Sequence, residues 1–166
     1  MLGVDIRLTS SNNQLVEDLI NSIVPRIKKY VYGYDNDKLV QVIADLLIQN
    51  NLTVSTAESC TSGLLASRLT DVPGSSQYFK GGSVCYSNEL KINDIGVDKD
   101  LIEKYGAVSE EVAESLAKNI AKKNNTDIGI GITGIAGPDG GTEKKPVGLV
   151  FVGIFYKNNL YIKRYN

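Results

Sequence analysis

Apolar and polar positions alternate from Val4 through Asp5, Ile6 and Arg7 to Leu8, the period of a half-buried strand. Leu15, Val16, Leu19, Ile20 and Ile23 then recur at helical spacing, behind Asn12 or Asn13 as cap. Pro25 is expected to end, kink or restart that helix. Tyr30-Val31-Tyr32, closed by Gly33, reads as a second short strand. Residues 1–34 are therefore predicted to form a small βαβ appendage, too small to bury a core of its own.

From residue 35 the pattern changes. Leu39, Val42, Ile43, Leu46 and Leu47 form a helical stripe that ends near Gln49-Asn50. A strand over 52–56 leads into a helix marked by Leu64, Leu65, Ala66 and Leu69, which Pro73-Gly74 breaks. A strand over 81–86 follows, and Ser87 caps a short helix ending at Gly96. Ser109 caps a helix over 110–123, with Val112, Ala113, Leu116, Ala117, Ile120 and Ala121 on one face. The apolar run 128–132 suits a buried strand, and the chain closes on a hairpin, 147–155 and 160–162, turning at Asn158-Asn159. Strands that alternate with helices and finish on a hairpin predict an α/β fold over 35–166, a layered α/β/α domain with a mixed sheet.

The composition narrows the chemistry. The 166 residues carry a net charge of −1, which does not suit a nucleic-acid-binding surface. No apolar run is long enough to span a membrane, and the first residues lack the apolar core of an export signal. The chain has no histidine, so Ser-His-Asp and Cys-His machinery are excluded within it. Two cysteines alone cannot build a structural zinc site, and no metal or cofactor is expected. Reduced thiols at Cys60 and Cys85 fit a cytoplasmic location. Any hydrolytic proton shuttle must be Lys, Tyr, Asp or Glu.

Three polar constellations fall at expected strand ends. Thr56-Ala57-Glu58-Ser59-Cys60-Thr61-Ser62-Gly63 passes from strand to helix within a few residues. Such a turn exposes hydroxyls and free N–H groups where ligands bind in open α/β sheets. Taken alone, it reads better as an ordinary helix cap. In the second, Tyr86 closes a strand and Lys91 lies one helical turn beyond the Ser87 cap. A lysine serves as base only where burial or nearby charge lowers its pKa; otherwise it is a solvated side chain. The third is the loop from Thr133 and Gly134 through Gly137, Gly140 and Gly141 to Lys144, Lys145 and Gly148. It offers many backbone N–H groups to a phosphate or carboxylate, yet matches neither the P-loop nor the dinucleotide fingerprint.

Together, TAESCTSG (56–63), GSSQYFKGGSVCYSNELK (74–91), GAVSEE (106–111), ITGIAGPDGG (132–141) and KPVG (145–148) resemble the CinA C-terminal family of nicotinamide-nucleotide amidases. The likeness covers most of 36–166, and the segment before it resembles part of the linker module that precedes this domain. The resemblance implies hydrolysis of the carboxamide of nicotinamide mononucleotide to nicotinate mononucleotide and ammonia. Carried over by motif, Ser59 is the nucleophile, Lys91 its base and Tyr86 an assistant. Glu58, Cys60, Thr61, Thr133, Gly134, Gly137, Gly140, Gly141 and Lys145 are expected to bind the substrate. The partner is then a small-molecule nucleotide, with no nucleic acid, no membrane and self-association left open. A nucleotide-binding regulatory module without catalysis is the alternative. Two departures stand out. Ser62 replaces the usual glycine, and a Cβ there is expected to crowd backbone near the substrate. The family's last helix is expected to be missing after Asn166, which would leave an apolar sheet face open.

Overall fold

The computed structural model describes residues 4–166. They fall into two compact units divided between Ile43 and Ala44, inside one helix.

In the first unit, helix α1 (Asn13–Ile27) begins where Asn12 Oδ1 accepts the Gln14 N–H at 3.0 Å. The helix runs through Pro25 instead of stopping there. Pro25 lies in its last turn, so the single lost hydrogen bond falls where the helix is about to end. The two expected strands are not formed. Residues 4–10 have no regular structure, and Lys28–Tyr30 is a 3-10 turn. Alternation specifies two faces, but a strand also needs a neighbour for its N–H and C=O groups. The described residues of this unit supply none, and Val4 and Ile6 are exposed. No residue of α1 is buried, as expected of a piece without a core.

Helix α2 (Leu39–Gln49) forms where predicted, but Ala44 and Leu47 face inward while Ile43 and Leu46 stay exposed. The apolar stripe is broader than the face that is buried.

The second unit is built on a five-stranded sheet, β1 (Val54–Glu58), β2 (Phe79–Val84), β3 (Ile128–Gly134), β4 (Val150–Tyr156) and β5 (Asn159–Tyr165), in the order β2-β1-β3-β4-β5. β1 pairs in parallel with β2 and β3, while β4 and β5 are antiparallel additions. The sheet is mixed, as the sequence predicted. The β4–β5 turn sits at Lys157-Asn158, both at positive φ, one residue earlier than the sequence suggested.

Helices α3 (Leu64–Thr70), α4 (Asn88–Asn93), α5 (Lys99–Tyr105) and α6 (Glu110–Asn124) complete the unit. α5 has no counterpart in the pattern reading; its cap, Asp98 accepting from Asp100 N–H, is the signal that was available.

Every residue of β1 is buried, the mark of a central strand covered on both faces. Ser55 and Ala57 face α6, where Ser55 Oγ donates to the Ile120 carbonyl and Ala57 packs with Leu116 and Ile120. Thr56 and Glu58 face α3. The side away from α6 is less covered toward β5, and Ile154, Tyr161 and Tyr165 remain exposed there. None of the described helices is long and apolar enough to cross a membrane.

α6 lies unusually close to the sheet. A Cβ on Gly131 would stand 2.5 Å from the Ala113 carbonyl oxygen, and one on Gly153 would stand 2.5 Å from the same atom. Gly131 and Gly153 are directly paired across β3 and β4. Ala113, Ala117 and Ala121 supply the matching small surface on the helix. Gly131→Ala should therefore cost about 1–3 kcal/mol by overpacking. The measurement is the urea midpoint at unchanged m-value. Parental stability in that variant would mean that α6 stands farther from β3.

Candidate active site

Ser59 directly follows β1, the central strand of the parallel half. Its N–H donates to the Ile132 carbonyl at 3.0 Å, and the preceding Glu58 carbonyl accepts the Cys85 N–H at 2.8 Å. The nucleophile candidate is thus held by both neighbouring strands, at their carboxyl ends.

The chain then reverses sharply into α3. Ser62 N–H donates to the Ser59 carbonyl, Ser62 and Gly63 both have positive φ (51° and 92°), and the helix starts at Leu64. This left-handed position is the physical reason a glycine suits residue 62. The penalty at Ser62 lies in its left-handed backbone conformation. Glu58 secures the other side of the turn. Its Oε2 accepts the Leu65 N–H at 3.0 Å and its Oε1 accepts the Ala66 N–H at 2.8 Å. Both carboxylate oxygens of this fully buried residue are occupied. Glu58, expected to bind substrate, is instead bound to the first turn of α3. The same bonds take up two N–H groups that the sequence reading had left free for an anion.

Lys91 projects from α4 beneath Ser59. The helix starts where Ser87 Oγ accepts the Leu90 N–H at 3.2 Å, as predicted. Lys91 is only 2% exposed. Its Nζ donates to Ser59 Oγ at 3.0 Å, to the Cys85 carbonyl at 3.0 Å and to the Tyr86 carbonyl at 3.1 Å. All three acceptors are uncharged. Burial lowers the Lys91 pKa from its ordinary value, against weaker opposing effects from Cys85, Cys60 and Glu89. In the neutral amine, two N–H groups can stay on the carbonyls and the lone pair then points to Ser59 Oγ. The geometry suits proton transfer from serine to lysine.

The cysteines have a different character. Both are free. Burial raises the pKa of Cys60 and of Cys85, outweighing the favourable effect of Lys91 on each. Cys60, beside Ser59, is therefore less of a thiolate than a free cysteine.

The remaining expected residues divide. Tyr86 touches Lys91 through its carbonyl, while its side chain is 67% exposed. Thr61 Oγ1 is buried without a partner among the described residues, an arrangement that invites a ligand. Gly134 abuts the turn, for a Cβ there would meet Cys60 Sγ at 2.9 Å. The Thr133 hydroxyl is committed to the Ala107 carbonyl at 2.8 Å. Gly137 and Gly141 pack against Val147, and Gly140 lies nearest Ile135, so this part of the loop folds onto itself. Lys145 Nζ donates to the carbonyls of Tyr105 and Val108. The sequence reading missed a further support. Asp94, just beyond α4, accepts from Ser83 Oγ at 2.7 Å and pairs with Lys123 of α6, while Asn119 Nδ2 donates to the Gly96 carbonyl at 2.8 Å. These bonds moor the helix that carries Lys91.

A serine–lysine pair buried at the carboxyl ends of parallel strands, in a mixed α/β sheet, defines the class. The chain belongs to the CinA family, since the family model of the CinA C-terminal domain matches residues 36–166. A CinA-like protein of Dictyoglomus thermophilum is 47% identical over 150 residues, 90% of this chain and 36% of that protein. The chain spans about a third to two fifths of the length of the curated relatives it matches. Among solved structures, a competence/damage inducible protein from Agrobacterium tumefaciens superposes with TM-score 0.72 at 35% identity, covering 80% of this chain and 84% of that one. A competence-damaged protein (CinA) superfamily protein from Escherichia coli gives 0.73 at 30% identity, covering 83% of each.

Two outcomes follow from this geometry. Because the folded chain holds the Lys91 pKa below its ordinary 10.5, the unfolded chain binds that proton more tightly. Lys91 therefore makes stability rise with pH between the lowered folded value and the ordinary one, with no contribution below that window. Lys91→Met should remove this rise, read by urea unfolding of both proteins across alkaline pH; an identical slope in the two would place Lys91 in water. Separately, Ser62→Gly should stabilise by roughly 0.5–1 kcal/mol, the left-handed penalty less the entropy of glycine. A lowered melting temperature would contradict the left-handed assignment.

Proposed function

We propose that this chain is an amidohydrolase that converts nicotinamide mononucleotide to nicotinate mononucleotide and ammonia. The observation that carries the reading is the 3.0 Å contact between Ser59 Oγ and the buried Lys91 Nζ. An unassisted serine hydroxyl is a weak nucleophile, and a neutral amine in contact is one way to activate it. Membership of the CinA family and the motif resemblance support this choice of substrate.

In this mechanism neutral Lys91 takes the Ser59 proton as Oγ attacks the carboxamide carbon. The resulting oxyanion is met by the N–H groups of Cys60 and Thr61, which follow Ser59 and have no backbone acceptor among the described residues; both lie against Cys60 Sγ, a weak acceptor that the oxyanion replaces. The Lys91 ammonium then returns the proton to the leaving nitrogen, the C–N bond breaks and ammonia departs. An ester on Ser59 remains. Water attacks it with Lys91 again as base, and the carboxylate product leaves with Ser59 restored. Thr61 Oγ1, buried without a partner among the described residues, donates to the substrate in this reading. The phosphate is held by backbone N–H groups of the loop at Gly137, Gly140 and Gly141. Tyr86, largely exposed, is the assisting residue in this reading. The nucleotide substrate implies a cytoplasmic setting.

Ammonia release from the mononucleotide tests this reading. Ser59→Ala should abolish it with the fold intact, while Cys60→Ala should retain it. Lys91→Arg should lose at least about a hundredfold in kcat, since arginine stays protonated. The parent's activity should rise with pH through the lowered Lys91 pKa. Activity in Ser59→Ala with loss in Cys60→Ala would assign a thiol mechanism. Tight nucleotide binding with no ammonia from the parent chain would select the regulatory module.

A further inference from the structure

Four successive carbonyls join α5 to α6, those of Tyr105, Gly106, Ala107 and Val108, and each accepts a hydrogen bond from a side chain. Ser109 Oγ donates to Gly106 at 2.9 Å and Thr133 Oγ1 donates to Ala107 at 2.8 Å. Lys145 Nζ spans the outer two, donating to Tyr105 at 2.6 Å and to Val108 at 2.7 Å. Gly106 leaves the room this requires, since a Cβ there would stand 2.9 Å from Lys145 Nζ. Tyr105 ends α5, so the ammonium also covers a carbonyl at a helix end that lacks a partner of its own.

Lys145 is at the same time well fixed to its own loop. Its N–H donates to Thr142 Oγ1 at 3.0 Å, and its carbonyl accepts the Thr142 N–H at 2.7 Å. Two residues on, Val147 is the packing partner of Gly137 and Gly141. The loop base is closed by Ile135 N–H to the Leu149 carbonyl at 2.9 Å and Gly148 N–H to the Ile135 carbonyl at 2.8 Å. A pull on Lys145 is therefore passed to the whole stretch 135–149.

We infer that Lys145 is a latch that fastens the glycine-rich loop to the α5–α6 connection, and so a positioning residue rather than a phosphate ligand. Two of its three N–H groups are already committed to carbonyls. Turning them to a phosphate would break both bonds and release the loop that is meant to hold that phosphate. Thr133 ties β3 to the same connection, and the adjacent Gly134 borders Cys60 beside Ser59. The latch thus joins the loop and the nucleophile's neighbour strand into one wall. Its kinetic consequence rests on the amidase reading; its structural consequence does not.

The test uses the whole chain with Lys145→Met, and with Lys145→Gln, which keeps an N–H donor on a shorter arm. Amide exchange over 135–149 should accelerate about tenfold or more in Lys145→Met and less in Lys145→Gln, with β1 and β3 unchanged. KM should rise about tenfold for nicotinamide mononucleotide, whose phosphate the loop holds, and little for nicotinamide riboside, with kcat within about threefold of the parent. A phosphate ligand would raise the same KM but leave loop exchange at the parental rate; that result overturns the latch. If Lys145→Met does not fold, Lys145→Gln alone decides by loop exchange. No turnover by the parent chain would remove the amidase reading, while loop exchange would still decide the latch.

Discussion

The close approach of α6 to the sheet is the constraint on which the rest of the second unit depends. Ala113, Ala117 and Ala121 rest on Gly129, Gly131 and Gly153, where any side chain would strike helix backbone. Close packing of this kind carries dispersion contacts that a wider gap would forfeit. It also sets the height of everything α6 holds. Lys123 and Asn119 reach from α6 to Asp94 and Gly96, at the end of the helix that carries Lys91. The depth of α6 and the position of the amine under Ser59 are therefore one geometric fact.

The chemistry of the site comes from what that burial withholds. Lys91 has hydrogen-bond acceptors but its contacts are all to neutral oxygens, so desolvation lowers its pKa where a carboxylate partner would have raised it. Three parallel strands end side by side and contribute the pieces: Ser59 after β1, the Cys85 and Tyr86 carbonyls after β2, and Gly134 at the end of β3. No single strand could assemble them.

Around this pair, several polar residues serve as braces. Glu58 holds the start of α3, Thr133 and Lys145 hold the α5–α6 connection, and Asp94 holds the end of α4. Each engages a backbone group or a neighbouring element, and each keeps a segment bearing Ser59, Lys91 or the loop in place. A charged residue beside a site is thus as readily part of its frame as a contact for its ligand.

Much was legible in the one-dimensional pattern, because periodicity and capping are local properties. The helices at α1, α2, α3, α4 and α6, the mixed sheet, and the Ser87 and Ser109 caps all followed from residues within a few positions of one another. The absence of histidine confined any base to lysine, tyrosine or a carboxylate, and motif resemblance singled out Ser59 and Lys91. The N-terminal strands failed because alternation does not provide a neighbouring strand, and α5 escaped because its apolar stripe is short. Whether Lys91 was solvated or buried, whether Glu58 met a ligand or the N–H groups of α3, and whether Thr133 and Lys145 faced a ligand or a carbonyl depended on how the chain folds. Lys145 meets carbonyls 40 and 37 positions before it. Desolvation and hydrogen-bond partners are properties of three-dimensional surroundings, so only the tertiary structure could decide them.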